Sequence, residues 1–224
     1  MSQLDLAIVG NGSYSALIDR RARVAWMCLP RVDGDPVFSS LLAGNGEAPR
    51  GFFDVELEDC VSTEQSYERN TAIVVTVLRD AHGGALEITD FAPRFGSHGR
   101  MYRPLMLVRR LRPLAGAPRL RVRLRPASDW GLRDADTTRG SNHVRYVLPH
   151  LTIRLTTDLP VTYVQDEIPF VLETTGHLIL GPDETLAAAI GPFARDHYEQ
   201  TLLYWRDWTR SLSIPFEWQE AVIR

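Results

Sequence analysis

The sequence contains no lysine, because all 25 of its basic residues are arginine. This absence excludes a Schiff-base lysine, a P-loop lysine and a lysine general base. The only two cysteines, Cys28 and Cys60, are too few for a disulfide framework or a zinc site, and Cys28 reads as a buried free thiol. No run approaches the about 18 apolar residues of a membrane span, and the opening residues lack the pattern of a secretory signal. We therefore expect a cytoplasmic protein.

The overall charge gives no reason to expect binding to nucleic acid or to an anionic membrane. The formal net charge is −3, which creates no global attraction to phosphate. Residues 109–125 do contain seven arginines in 17 positions, the best case for such a binding surface. Aromatic residues do not interleave with them, so a solvated face paired with Asp and Glu across strands is the favoured interpretation.

Hydrophobic patterning predicts a mostly β protein up to about residue 190. Residues 119–125 read RLRVRLR, so Leu120, Val122 and Leu124 should face a core while the arginines face outward. Gly83 and Gly84 predict a hairpin turn. Turn signals recur at short intervals, which is typical of an antiparallel sandwich or barrel. The other predicted strands are residues 4–9, 23–29, 71–79, 86–91, 105–114, 151–155, 161–164, 170–173, 177–180 and 186–190.

A change of period predicts one long helix after Gly191 and Pro192. Large apolar side chains then recur about every 3.6 residues, which favours an amphipathic helix over residues 194–212. These positions are Tyr198, Leu202, Trp205, Trp208 (or Thr209) and Leu212. Pro215 should end the helix. Residues 216–224 read as the start of another helix, whose apolar stripe (Trp218, Val222, Ile223) needs a partner surface.

Residues 10–38 contain an unusually dense series of special residues. The series is Gly10, Asn11, Gly12, Trp26, Cys28, Leu29, Pro30, Arg31, Asp33 and Phe38. It resembles the start of the N-terminal domain of bacterial and archaeal glycoside hydrolase family 15, the glucoamylase, glucodextranase and trehalase-like enzymes. Residues 89–93 and 204–208 are also similar to that family, while Val32 stands where the family usually has Phe.

The resemblance implies a domain organisation and a function. It implies an antiparallel β-supersandwich over residues 1–192, a linker helix over residues 193–213, and, at residues 214–224, the start of a catalytic α/α toroid. Two glutamates of that toroid, absent from this sequence, would hydrolyse α-glucosidic bonds with inversion. We therefore expect a truncated chain that is inactive alone. Its expected partners are its own toroid, the α-glucan substrate of the parent enzyme, and a second copy bound through the C-terminal helix.

Two other function classes stay open beside this non-catalytic domain. One is an α-glucan-binding module, which requires exposed aromatic residues on a sheet face. The other is a complete small enzyme, which requires a buried pair of carboxylates. The candidate pairs are Asp33 with Asp35, Asp134 with Asp136, and Asp166 with Glu167. Each pair lies in a polar, turn-like stretch, where a carboxylate keeps an ordinary pKa, so a turn-forming role is favoured.

The loop Asp33-Gly34-Asp35-Pro36 is either a tight turn, with Arg31 paired to an aspartate, or a contact with a catalytic domain. Trp26 is either a core residue or a sugar-stacking platform. The candidate interdomain or cleft-rim residues are therefore Trp26, Arg31, Asp33 and Asp35.

The other candidate sites are weaker. The turn at residues 10–13 lacks the third glycine of a dinucleotide site and precedes a strand, so a β-turn is favoured. The six histidines have no metal-ligand spacing. We predict no catalytic, cofactor-binding or metal-binding residue in this chain.

Overall fold

The computed structural model describes residues 5–43, 48–212, 214 and 218. Two antiparallel sheets pack face to face, and one long helix lies on the outer face of the second sheet. The strands are β1 (Ala7–Gly10), β2 (Ser15–Ile18), β3 (Val24–Cys28), β4 (Pro36–Phe38), β5 (Phe52–Leu57), β6 (Cys60–Tyr67), β7 (Val74–Asp80), β8 (Ala85–Phe91), β9 (Phe95–Ser97), β10 (Arg100–Tyr102), β11 (Leu107–Ala115), β12 (Arg119–Arg125), β13 (Ala127–Ser128), β14 (Arg133–Asp134), β15 (Asp136–Arg139), β16 (His143–Leu148), β17 (Leu151–Thr157), β18 (Phe170–Val171) and β19 (Gly176–Pro182). The helices are a short 3-10 helix (Ser40–Ala43), α1 (Val161–Gln165) and α2 (Ile190–Arg210).

The predicted antiparallel β-sandwich with a C-terminal helix is confirmed. The first sheet has the strand order β1-β2-β3-β5-β12-β18, with β4 paired to β3. The second sheet has the order β15-β16-β17-β19-β11-β8-β7-β6. Two small hairpins, β9–β10 and β13–β14, lie outside these sheets. The turn predicted at Gly83 and Gly84 joins β7 to β8.

The core forms where the alternating faces of the two sheets meet. In β12, Leu120, Val122 and Leu124 are buried as their spacing predicts. They share one cluster with residues of the second sheet such as Leu107 and Leu155. Three of the four arginines that alternate with them pair with acids: Arg119 with Glu58, Arg123 with Asp54 at 2.6 Å, and Arg125 with Glu167. The outward face of residues 119–125 is therefore largely paired with acids.

The inner face of the second sheet also carries a buried charge. Arg109 alternates with Leu107 and Leu111, so it points into the core, and its side chain is completely buried. Its Nε donates to Oδ1 of Asp90, the residue opposite on β8, at 2.7 Å. Its Nη1 donates to the Phe53 carbonyl of the first sheet at 3.1 Å, and its Nη2 donates to the Ala22 carbonyl. One guanidinium thus links the two sheets.

Helix α2 begins four residues before the predicted residue 194. Pro192 lies in its first turn, where backbone N–H groups have no partner inside the helix, so a proline is tolerated there. Because Ile190 is already helical, the strand predicted for residues 186–190 is wrong. The division of the chain at residues 192 and 213 stays a prediction.

The buried stripe of α2 agrees with the predicted one only in part. Ala194, His197, Thr201 and Thr209 are buried, and Tyr198 and Leu202 pack half-buried against the second sheet, whereas Trp205 and Trp208 stay partly exposed. His197 stacks on Phe193 and meets the rings of Phe95 and Tyr102 edge-on. Its Nδ1 donates to the Phe193 carbonyl at 2.8 Å. Burial lowers the pKa of His197, so the neutral imidazole suits this position.

The strand predicted for residues 161–164 is also wrong, because these residues form α1. Their β-branched and aromatic side chains favour a strand. Pro160, however, is the N-cap residue of the helix, and its carbonyl accepts the backbone N–H groups of Tyr163 at 2.9 Å and of Val164 at 3.2 Å. The helix then buries Val164 in the sandwich core, so tertiary packing overrides local propensity.

Most of the predicted start of a further helix at residues 214–224 lies outside the described residues. Of its apolar stripe, Val222 and Ile223 are among the undescribed positions, and Trp218 is exposed. Among the described residues, no helix is both long and apolar enough to span a membrane.

Candidate functional site

The glycine turn at residues 10–13 joins β1 to β2 and anchors them to other segments. Asn11 is completely buried. Its Nδ2 donates to the carbonyl of Pro93 at 3.1 Å and to that of Pro104 at 2.7 Å. The Tyr14 hydroxyl donates to the Met106 carbonyl at 2.5 Å. These bonds tie the hairpin to both ends of the segment between β8 and β11, so the turn has a structural role.

Arg94 connects the same turn to helix α2. Its guanidinium donates to the Asn11 carbonyl and, through Nε, to the Tyr204 hydroxyl at 2.8 Å. Its backbone N–H donates to Thr201 Oγ1 at 3.2 Å. The guanidinium also lies against the rings of Tyr204 and Trp205. Arg94 directly follows residues 89–93, and Tyr204 begins residues 204–208, so two segments noted separately in the sequence meet at one junction that sets the position of α2.

Trp26 is only partly buried, although both neighbours on β3 are buried. Its ring contacts the ring of Trp130, with centroids 6.2 Å apart and planes tilted by 49°. Trp130 is 58% exposed and lies in the loop between β13 and β14. The structure therefore places Trp26 beside a second indole at the surface of the first sheet.

Asp35 holds the loop that carries Trp130. Its two carboxylate oxygens accept the backbone N–H groups of Asp129 at 2.6 Å and of Trp130 at 2.8 Å. Asp129, Trp130 and Gly131 all have positive φ, at 54°, 57° and 90°. A bulky residue rarely adopts this conformation, so the carboxylate stabilises a strained backbone.

Arg31 and Asp33 pair with each other at the tip of the neighbouring loop. Arg31 Nε and Nη2 donate to the two oxygens of Asp33 at 2.9 and 2.8 Å. Both side chains are mostly exposed. The hydrogen bonds and charge of Arg31 lower the pKa of Asp33. Asp33 is therefore a carboxylate at neutral pH and cannot serve as a general acid.

These loops together expose several large apolar side chains. We call the surface formed by residues 26, 30–35, 40–43 and 129–132 the loop face. Val32, Leu42 and Leu132 on it are 64%, 59% and 72% exposed, beside Trp130. Asp35 and Arg50 connect the loops, since Arg50 Nη1 donates to the Leu132 carbonyl at 2.8 Å. Beneath them Cys28 is a buried free thiol, and burial, followed by the nearby charge of Asp35, raises its pKa.

The other two candidate carboxylate pairs have structural partners. Asp134 and Asp136 are both exposed, and Asp134 pairs with Arg50 at 2.7 Å. Asp166 is exposed, while both oxygens of Glu167 accept bonds from Arg125 at 2.6 Å. Within the ranges that the structure describes, no group of His, Cys, Asp and Glu is arranged to hold a metal ion.

Sequence reasoning missed three features of this region. Trp130 was not singled out, although a tryptophan between Asp129 and Gly131, in a turn-like stretch, is a detectable signal. Asn11 was read as part of a turn, and nothing local predicts its contacts 82 and 93 residues away. Arg109 was grouped with the outward arginines, although its spacing from Leu107 and Leu111 places it on their face.

The fold and these contacts define a β-sandwich domain with a helix docked on one sheet and a preformed surface on the loops of the other. The family model described as trehalase-like, N-terminal, matches residues 4–152. The chain therefore belongs to the trehalase-like N-terminal domain family, which is related to glycoside hydrolases. It is similar to Trehalase 1 of Sulfolobus acidocaldarius, at 26% identity over 221 residues, covering 92% of this chain and 34% of that protein. The chain thus spans about a third of the length of this relative. No solved structure matches it.

Proposed function

We propose that this chain is the non-catalytic N-terminal domain of a glycoside hydrolase of the family 15 type that acts on α-glucosides. The observation that carries the proposal is its membership of the trehalase-like N-terminal domain family, together with its match to one third of a protein named as a trehalase. The remaining two thirds of such a protein would supply the catalytic α/α toroid. The domain would support that toroid and form one wall of its cleft.

The state of the described carboxylates supports a non-catalytic role. Inverting hydrolysis needs one protonated and one ionised carboxyl group on opposite sides of the bond. Asp33 has a lowered pKa, and Asp35 is engaged by two backbone N–H groups. Asp90 has a pKa raised by burial, but its side chain is completely enclosed and bonded to Arg109. A substrate cannot reach it.

Two surfaces are suited to hold the toroid. Helix α2 is fixed to the sandwich through Arg94 and would act as the linker. The loop face is the proposed interdomain contact, because Val32, Leu42 and Leu132 expose apolar area that a partner domain would cover. Arg31 and Asp33 would then lie at its edge, near the rim of the cleft.

Two further parts of the proposal concern assembly and location. A second copy could bind through the C-terminal helix, where Leu203 is 60% exposed. The free thiols of Cys28 and Cys60 suit the reducing conditions of the cytoplasm. Gel filtration at several concentrations and fractionation of cells would test these two points.

The test of function compares the 224-residue chain with the complete product of the gene that contains it. We expect no hydrolysis of trehalose or maltooligosaccharides by the chain alone. Before mutarotation, we expect the complete product to release β-glucose from maltooligosaccharides and equal amounts of α- and β-glucose from trehalose, as proton NMR would record. Turnover by the purified chain, or retention of configuration by the complete product, would overturn the proposal.

An α-glucan-binding module is the second candidate, and the exposed apolar side chains of the loop face, among them Trp130, favour it. Such a module binds a polymer along a surface, so its affinity should increase from maltose to maltoheptaose. Calorimetry with both sugars and with glycogen distinguishes the two functions. Strong binding that depends on chain length would favour the module.

A further inference from the structure

Trp130 has an exposed ring on a strained backbone. Its ring is 58% exposed, so it contributes little to the core. Its backbone is nevertheless held at φ 57°, between two other residues with positive φ. Such a conformation is strained for a non-glycine residue and persists only where surrounding contacts enforce it, most often at functional sites.

The enforcing contacts come from one side chain. The carboxylate of Asp35 accepts the N–H groups of Asp129 and Trp130, as described above, and it belongs to a different loop. Gly131 continues the turn where a Cβ would lie 2.8 Å from Ser39 Oγ. The backbone that carries Trp130 is therefore held in place before any ligand arrives, and its ring packs against that of Trp26, which reduces the entropy lost on binding.

The two indoles form an angled platform with polar groups at its edge. Trp26 provides the second wall, tilted by 49° from Trp130. Arg31 and Asp33, on the loop that leads to Asp35, offer planar donors and acceptors that remain exposed. The positive charge of Arg31 is matched by Asp33, and the further carboxylate of Asp35 disfavours an anionic ligand.

We propose that Trp26 and Trp130 form a stacking site for a single pyranose ring of a neutral saccharide, with Asp35 as a positioning residue. The C–H groups on one face of a pyranose carry partial positive charge and pack on the electron-rich face of an indole. Its hydroxyl groups lie at the ring edge, where carboxylate and guanidinium groups can bond to adjacent hydroxyls. This site depends on the proposed function only in the choice of glucose-containing sugars as probes.

The size of the platform limits it to one ring. The two centroids are 6.2 Å apart, and the planes meet at an angle, so the pair makes a corner. A linear glucan would need a row of such surfaces. We therefore expect glucose, trehalose and maltoheptaose to bind with similar, weak affinity in the millimolar range, as is usual for a small contact.

The experiment titrates the intact 224-residue chain with trehalose and follows tryptophan fluorescence and the indole N–H signals in NMR. We expect saturable shifts in two indole signals, which disappear in W26F and W130A respectively and so assign them. W130A should weaken binding at least about tenfold, as for an aromatic anchor. W208F, on helix α2, should bind like the unmodified chain, and glycerol should produce no saturable shift.

Asp35 is tested by D35N, which keeps the side-chain shape but places an amide donor against one backbone N–H. We expect weaker trehalose binding and a changed near-UV circular dichroism signal of the indole pair, with an unchanged far-UV signal. A purely structural role would lower the melting temperature without changing the affinity at 20 °C or so, well below the transition.

Three results would overturn the inference. They are no saturable shift with trehalose, equal binding by W130A and the unmodified chain, and shifts confined to the indoles of helix α2. If W130A also lowers hydrolysis by the complete gene product while no sugar binds the chain, the loop face is only an interdomain contact. None of these results bears on whether the complete product hydrolyses α-glucosides with inversion.

Discussion

The buried ion pair between the two sheets allows a quantitative test of what stabilises this domain. Arg109 bonds to Asp90 on its own sheet and to the carbonyls of Phe53 and Ala22, which belong to the first-sheet side of the core. Both charged side chains are completely buried. The substitution R109M keeps most of the length of the side chain and removes all of these hydrogen bonds.

The expected loss is about 3–5 kcal/mol, because breaking a buried pair leaves one charge uncompensated. This is a large part of the about 5–15 kcal/mol of a typical domain. Burial already raises the pKa of Asp90, and without Arg109 it should rise further. A raised pKa in the folded state destabilises the protein as pH increases through it. The loss in R109M should therefore be smaller at pH 4 or so than at neutral pH.

Urea unfolding followed by circular dichroism measures this loss, and R112M is the matched control. Arg112 lies on the same strand and makes two bonds to Glu87, at 3.1 and 2.7 Å, but its side chain is half exposed. An exposed pair contributes about 0–1 kcal/mol. The double variant D90L/R109M should recover part of the loss, since two apolar side chains replace the pair without leaving a charge.

One result would refute this reasoning. If R109M and R112M lower the free energy of unfolding equally, within about 0.5 kcal/mol and with unchanged urea dependence, then Arg109 does not link the sheets as described. A loss in R109M that grows at acid pH would contradict the assigned cause.

Three further predictions concern other single residues. N11A should cost about 2–4 kcal/mol by urea unfolding, since the buried bond to the Pro93 carbonyl and the part-buried bond to the Pro104 carbonyl are lost; a loss below about 1 kcal/mol would contradict the anchoring role. Burial lowers the pKa of His197 from 6.5, so the stability contributed by the neutral imidazole is complete above pH 6.5 and is lost as pH falls. In H197F the melting temperature should therefore change less between about pH 7.5 and about pH 5 than in the unmodified chain. An equal change with pH in both proteins would exclude His197 as the titrating group. G131A should lower the free energy of unfolding by about 1–3 kcal/mol, because of its positive φ and because the added Cβ would contact Ser39. Adding S39A removes the contact but leaves the positive φ, so the double variant should recover only part of the loss. Full recovery would show that the backbone is not strained.

Periodicity predicted the elements whose burial follows a simple alternation. The leucines and valine of β12 are buried, and Arg119, Arg123 and Arg125 pair with acids outside the core, because a strand with period two presents only one face to a core. On β11 the same rule predicts which positions face the core, but it does not predict that one of them carries a charged side chain. Its inner face includes Arg109, and only the acceptors on other strands make this position favourable.

Local patterns were least reliable near prolines and at isolated aromatic residues. Pro192 reads as a break but occupies a first helical turn, and Pro160 starts a helix in a segment with strand propensity. Trp26 reads as a core residue, yet it is partly exposed against Trp130, which lies 104 positions away. Such outcomes depend on neighbours that no short window contains.

The sequence by itself determined the class of fold and the family, because the two-residue alternation and the motifs of residues 10–38 are local features. It also determined that the chemistry of lysine is unavailable to this chain. Only the tertiary structure decided what the special residues do. Asn11, Arg94 and Tyr204 become one junction, and Asp35 holds Trp130 beside Trp26, since hydrogen bonds between distant segments exist only after the sheets have packed.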